Sequence, residues 1–185
     1  VVQLLLHRRI DMGYDASRTL GPMHVACAWN RQGALKMLLE RGCDINAKGP
    51  NGWTPLFYCA FAGQQKLMEI LLERGADVKG RDDNGRTALH LATSREQLRM
   101  VAALLASGAE VNAQEDILGS TPLHLAAERG HVAISECLTF NGANLALKDR
   151  AGQTAIDLAR KNQQKLVERD LRKFLRQGFG VKPPA

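Results

Sequence analysis

Aromatic residues are scarce in this 185-residue chain: two Trp, two Tyr and five Phe, 5% of the whole. No ladder of rings accompanies its basic residues, which is what stacking on nucleic-acid bases requires. Long apolar runs are absent too. None exceeds seven residues, the length of Met100 to Ala106, far short of the roughly 18 that a membrane-spanning helix needs. No Cys-x-x-Cys pair occurs. The four cysteines, Cys27, Cys43, Cys59 and Cys137, stand at positions otherwise suited to Ala or Leu. They read as buried small hydrophobes in a reducing compartment, not as zinc ligands or disulfides. There is no phosphate-cradling glycine loop and no Ser/His/Asp or Cys/His spacing. No catalytic, cofactor-binding or metal-ligating residue is assigned, and the chain is not expected to be an enzyme. It starts on Val1 without the charged and apolar regions of a secretory signal. It therefore reads as an excerpt of a longer intracellular polypeptide, cytoplasmic or nuclear.

Charge is uneven. The net charge of +6 resides in residues 160–185, which carry eight Lys or Arg against Glu168 and Asp170; the rest of the chain is neutral. A solvated outer face on a terminal helix accounts for this pattern. The competing reading is that this basic helix binds nucleic acid or an acidic membrane surface, with the rest as spacer.

What the chain has in quantity is repetition. Gly-Trp-Thr-Pro-Leu (52–56), Gly-Arg-Thr-Ala-Leu-His (85–90), Gly-Ser-Thr-Pro-Leu-His (119–124) and Gly-Gln-Thr-Ala-Ile-Asp (152–157) recur, with Thr54, Thr87, Thr121 and Thr154 spaced by 33, 34 and 33 residues. A weaker copy, Gly21-Pro22-Met23-His24, precedes them. A second series, Gly42, Gly75, Gly108 and Gly142, follows at the same period. Thr at an N-cap offers its hydroxyl to an unpaired first-turn amide, and Pro suits the first helical position, so a helix starts at each Thr-Pro-Leu-His. Leu-Leu-Glu-Arg-Gly (38–42 and 71–75) ends a second helix on a left-handed Gly. Asn51-Gly52, Asp83-Asn84-Gly85 and Ala151-Gly152 mark turns between units. Small residues (Ala26, Ala92, Ala126, Ala127, Ala159) occupy the first helix and larger aliphatics the second, which lets paired helices approach closely and stack.

Gly-x-Thr-Pro-Leu-His with Gly-Ala-Asp-Val-Asn-Ala at this period resembles the ankyrin-repeat family. The resemblance implies an all-α solenoid of stacked helix-turn-helix pairs joined by β-hairpin-like fingers. Units are expected at 16–48, 49–81, 82–115, 116–148 and 149–178, the last a C-terminal cap. Residues 1–15 would be the second helix and exit turn of a truncated repeat, and 179–185 a linker or tail. One extra residue near Gln114–Leu118 is expected to lengthen the fourth finger. Ser94-Arg95-Glu96-Gln97 replaces the usual x-x-Gly-His, so a re-formed turn is expected at Glu96. His24, His90 and His124 share one repeat position and are expected to brace their own helix starts. The acid pairs Asp82-Asp83 and Glu115-Asp116 are expected on solvated finger turns.

The resemblance further implies a non-catalytic interaction module, a scaffold or adaptor whose partner meets the finger tips and the ends of the inner helices. Those positions are Leu20 and Trp29 in the first unit, and Pro50, Asn51, Trp53 and Phe61 in the second. The third offers Asp83, Asn84, Arg86 and Arg95. The fourth and fifth offer Ile117, Leu118, Glu128, Arg129 and Arg150. Both tryptophans of the chain fall among them, a residue type that dominates interface hot spots. Phe57 and Tyr58 extend the aromatic character of the second unit. A monomeric array is expected, meeting a protein or peptide with an apolar anchor and an acidic segment.

Overall fold

The computed structural model describes residues 20–179, and among these it contains ten α-helices in five antiparallel pairs. The pairs are α1 (Pro22–Ala28) with α2 (Gln32–Glu40), α3 (Pro55–Ala62) with α4 (Gln65–Glu73), and α5 (Ala88–Ser94) with α6 (Leu98–Ala106). They continue with α7 (Pro122–Arg129) and α8 (Val132–Phe140), then α9 (Ala155–Lys161) and α10 (Lys165–Arg176). The expected N-terminal fragment 1–15 and the Pro183-Pro184 linker lie outside the described residues.

The inner helices α1, α3, α5, α7 and α9 pack on one another more extensively than the outer ones do. The sequence permits this because the contact residues are small: Ala26, Cys27, Ala60, Ala92, Ala126, Ala127 and Ala159 are all buried. Leu35, Leu38, Leu67, Leu71, Leu104 and Leu138 fill the space between inner and outer rows. Each outer helix from α2 to α8 ends in the expected left-handed glycine; at Gly42 (φ 73°) the Cys43 amide then donates back to the Leu38 carbonyl at 3.1 Å.

Between pairs the chain forms fingers, each closed by one backbone bond: Gly49 N to Trp53 O, Asp82 N to Arg86 O, Glu115 N to Ser120 O, and Asp149 N to Gln153 O. The finger of the fourth unit, closed by Glu115 N to Ser120 O, spans one residue more, and its closing bond crosses the expected 115/116 boundary. Neighbouring fingers are tied tip to tip by Asp83 N to Asn51 O (3.1 Å), Asp116 N to Asn84 O (2.8 Å) and Arg150 N to Leu118 O (2.8 Å).

Three expectations are corrected. Glu96 does not re-form its turn. It takes φ 57°, the left-handed conformation that Gly63 and Gly130 adopt at the same place and that Asn30 and Gln163 also accept. All five turns within the helix pairs take this conformation, and at Glu96 the side chain bears its steric cost. Asp82 and Glu115 are buried, not solvated. Finally, Phe179 is not part of a tail: its amide donates to the Phe174 carbonyl and its ring packs against Phe140 and Phe174.

Candidate protein-binding surface

The helix starts show what connects one repeat to the next. At His90 the imidazole Nδ1 accepts from the Thr87 amide (3.1 Å) and hydroxyl (2.9 Å), which leaves the proton on Nε2 to donate to the Ser120 carbonyl of the next finger (3.1 Å). His124 repeats this with Thr121 and the Gln153 carbonyl, and His24 with the Gly21 amide and the Ala47 carbonyl. These histidines therefore brace their own helices, as expected, and also reach across to the chain that follows. Burial disfavours the imidazolium and holds His90 down to about 4; it lowers His124 as well.

Two units lack the staple, each with a physical reason. In the last, Asp157 Oδ2 accepts from the Thr154 amide (3.0 Å) and hydroxyl (2.7 Å), and the Thr154 hydroxyl and amide hold its carboxyl below the usual range. It caps the helix but is too short to reach onward. In the second, Phe57 is buried in the core and supplies no ring nitrogen, so the Thr54 hydroxyl is buried without a partner. The link to the third unit passes instead through Trp53, whose indole N–H donates to Asp82 Oδ2 at 3.2 Å.

Asp82 organises its finger. Its Oδ1 accepts from the Asn84 and Arg86 amides (both 2.9 Å), and its Oδ2 pairs with the Arg86 guanidinium at 2.8 Å. Asp149 does the same with the Ala151 and Gln153 amides. In the longer fourth finger the acid is Glu115, one methylene longer, accepting from Ile117 (2.8 Å), Leu118 (2.6 Å) and Ser120 (3.0 Å). Burial alone would raise its pKa, but the Ser120, Ile117 and Leu118 amides together outweigh that and hold it low.

The expected contact residues fall into two groups on this frame. Trp29 is 70% exposed at the end of α1, Phe61 is 40% exposed at the end of α3, and Ile117 and Leu118 are 58% and 61% exposed at the fourth fingertip. Leu20, Asp83, Arg95, Glu128, Arg129 and Arg150 are exposed as well. Arg95 lies over the Phe61 ring, 3.8 Å from its centre. By contrast Pro50, Asn84 and Arg86 are half-buried, and the Asn51 and Asn84 carbonyls are spent on the tip-to-tip bonds. Trp53 is half-buried among Phe57, Tyr58 and Phe61, with ring centres 6.4, 5.2 and 5.2 Å away. Trp53 thus joins two repeats through Asp82, whereas Trp29 faces water.

The structure adds one row to the surface. A hollow of about 230 Å³ between α5, α7 and the fourth finger is lined by Arg86, Ser94, Ile117, Leu118, Ser120 and Arg129, and also by Leu91 and Leu125. The last two occupy a mid-helix position absent from the expected set. One and two periods before Leu91 the same position carries Tyr58 and Val25, so the repeat register marks it.

Three cations in and beside the basic helix are paired. Glu168 accepts from Arg160 (3.0 Å) and Arg172 (2.8 Å), and Asp170 pairs with Arg169. The neighbouring Cys27 thiol and burial push the Cys59 thiol up. Among the described residues no His, Cys, Asp or Glu group is arranged to hold a metal, and no helix is long and apolar enough to cross a membrane.

Five stacked helix pairs with fingers tied along one edge define a repeat solenoid, a class whose function lies on its surface. A family model for ankyrin repeats in three copies matches residues 23–115, and one for ankyrin repeats in many copies matches residues 95–139. The chain belongs to the ankyrin-repeat family, whose domains are generally protein–protein interaction modules and typically non-catalytic.

Proposed function

We propose that this chain binds another protein through the groove formed by its inner helix ends and finger tips. The observation that carries the reading is the placing of exposed large apolar side chains. Of the eleven among the described residues, six (Leu20, Val25, Trp29, Phe61, Ile117 and Leu118) stand at the repeat positions that line this groove. Water-facing Trp and adjacent aliphatics at a fingertip contribute nothing to the core and are costly to leave bare, so a partner that covers them is favoured. A scaffold or adaptor role follows from a binding surface on a rigid, non-catalytic stack.

The test compares proteins captured by the wild type with those captured by a Trp29→Ser/Phe61→Ala variant, with circular dichroism to confirm that the variant is folded. Loss of the bound set, by about 2 kcal/mol or more of affinity per hot spot, supports the groove. Retention of the same proteins at the same affinity sinks it.

A further inference from the structure

The hollow between α5, α7 and the fourth finger has a more specific chemistry than the groove as a whole. Its floor is Leu91 and Leu125, and its outer wall is Ile117 and Leu118, whose side chains face water at the tip. At about 230 Å³ it has room for one large side chain and not for a folded element. Two of its charged lining residues are cationic. Arg86 commits its Nε and one Nη to Asp82, and Arg129 commits one Nη to the Ser94 carbonyl at 2.6 Å. Each planar guanidinium has five N–H donors, so both keep donors in hand at fixed positions. The one carboxylate in the lining, Glu115, is turned inward and consumed by three backbone amides. It therefore competes poorly for those donors.

Resting on the groove reading above, we infer that this hollow is a socket for a large apolar side chain of an extended partner segment. An Asp or Glu beside that side chain is held between Arg86 and Arg129. Charge complementarity selects the occupant: a guanidinium fork matches a carboxylate bidentately, and an aliphatic floor prefers Leu, Ile, Met or Phe over a polar group. A basic segment is repelled. The finger's extra residue is what creates the wall. Without it the tip would carry one aliphatic fewer, and the shorter acid seen in the third and fifth fingers would suffice to close it.

The probe is a pair of capped hexapeptides, acetyl-Gly-Ser-Phe-Glu-Gly-Ser-amide and the same peptide with Lys for Glu, titrated into the 185-residue chain labelled at Ile, Leu and Val methyls and at Trp and Phe rings. The acidic peptide is expected to shift the Ile117, Leu118, Leu91 and Leu125 methyl signals. The Lys peptide should bind roughly fivefold or more weakly, and Arg129→Glu, an exposed change, should reverse that preference. Replacing Phe by Ala in the acidic peptide should abolish the shifts. Equal affinity for the two peptides overturns the carboxylate site. No shift at these four residues overturns the socket. If indole and ring signals of Trp29 and Phe61 move instead, the socket falls while the groove stands.

Discussion

The second repeat and the two that follow it solve the same problem with different side chains. In the third and fourth, His90 and His124 staple each helix start to the following finger, and the groove is walled by Arg86, Ser94, Ser120 and Arg129 over Leu91 and Leu125. In the second, Phe57 stands in place of the histidine, and the inter-repeat bond has moved out to Trp53 and Asp82. By repeat register the corresponding positions carry Leu20, Val25, Trp29, Trp53, Tyr58 and Phe61. Moving the staple outward is what brings an indole to the groove. An aromatic half and an Arg-bearing half therefore arise within one period, and only part of the aromatic half is free of structural duty.

The sharpest way to break this comparison is to remove each tryptophan in turn. Trp53→Ala should cost about 3 kcal/mol of unfolding free energy, combining lost burial with an inter-repeat bond. Trp29→Ser should change stability by less than about 0.5 kcal/mol. Urea denaturation of both variants checks this, and equal effects would erase the distinction between structural and surface aromatics.

Acid should strike the other half. His90 and His124 have folded pKa values below the ordinary 6.5, so the unfolded chain takes up protons first. Their stability contribution is complete above about pH 6.5 and is lost as pH falls towards 4. For His90 the loss approaches about 3 kcal/mol. Denaturation midpoints measured from pH 7.5 to 4.5 should fall for the wild type and fall less for His90→Gln. Glu115 and Asp157, whose carboxyls are held low, act below this window.

Two smaller changes sharpen the contrast between fingers and turns. Glu115→Asp should cost about 2 kcal/mol, because the shorter acid cannot reach the Ile117, Leu118 and Ser120 amides together. Amide exchange at those three positions should rise selectively. Glu96→Gly should raise stability by up to about 1 kcal/mol by removing a side chain from a left-handed backbone, visible as a higher melting temperature.

The period, the helix starts at Thr54, Thr87, Thr121 and Thr154, and the exit glycines were legible because each depends on local backbone chemistry. What escaped was whatever depends on a neighbour one period away. The Trp53 indole has a use only once Asp82 is beside it. Asp82 and Glu115 look like turn acids until their amide partners are counted, although Glu for Asp at the one elongated finger was a readable signal. Among the contact residues, exposure of Trp29, Ile117 and Leu118 followed the repeat register. The half-burial of Arg86 and Asn84 did not, because finger-to-finger bonds leave no trace in composition.

The pairing of Arg160 and Arg172 on Glu168 has a consequence for growth. These three sites correspond by register to Cys27, Leu35 and Leu39 in the first repeat and to Ala60, Met68 and Leu72 in the second, which are buried or half-buried. A solenoid is a one-dimensional crystal, each layer a template for the next. On the fifth layer that template is written in ions: a further layer of the same apolar kind would have to strip water from two guanidinium groups and a carboxylate before it could nucleate. Restoring Ala, Met and Leu at the three sites would reopen that growth plane.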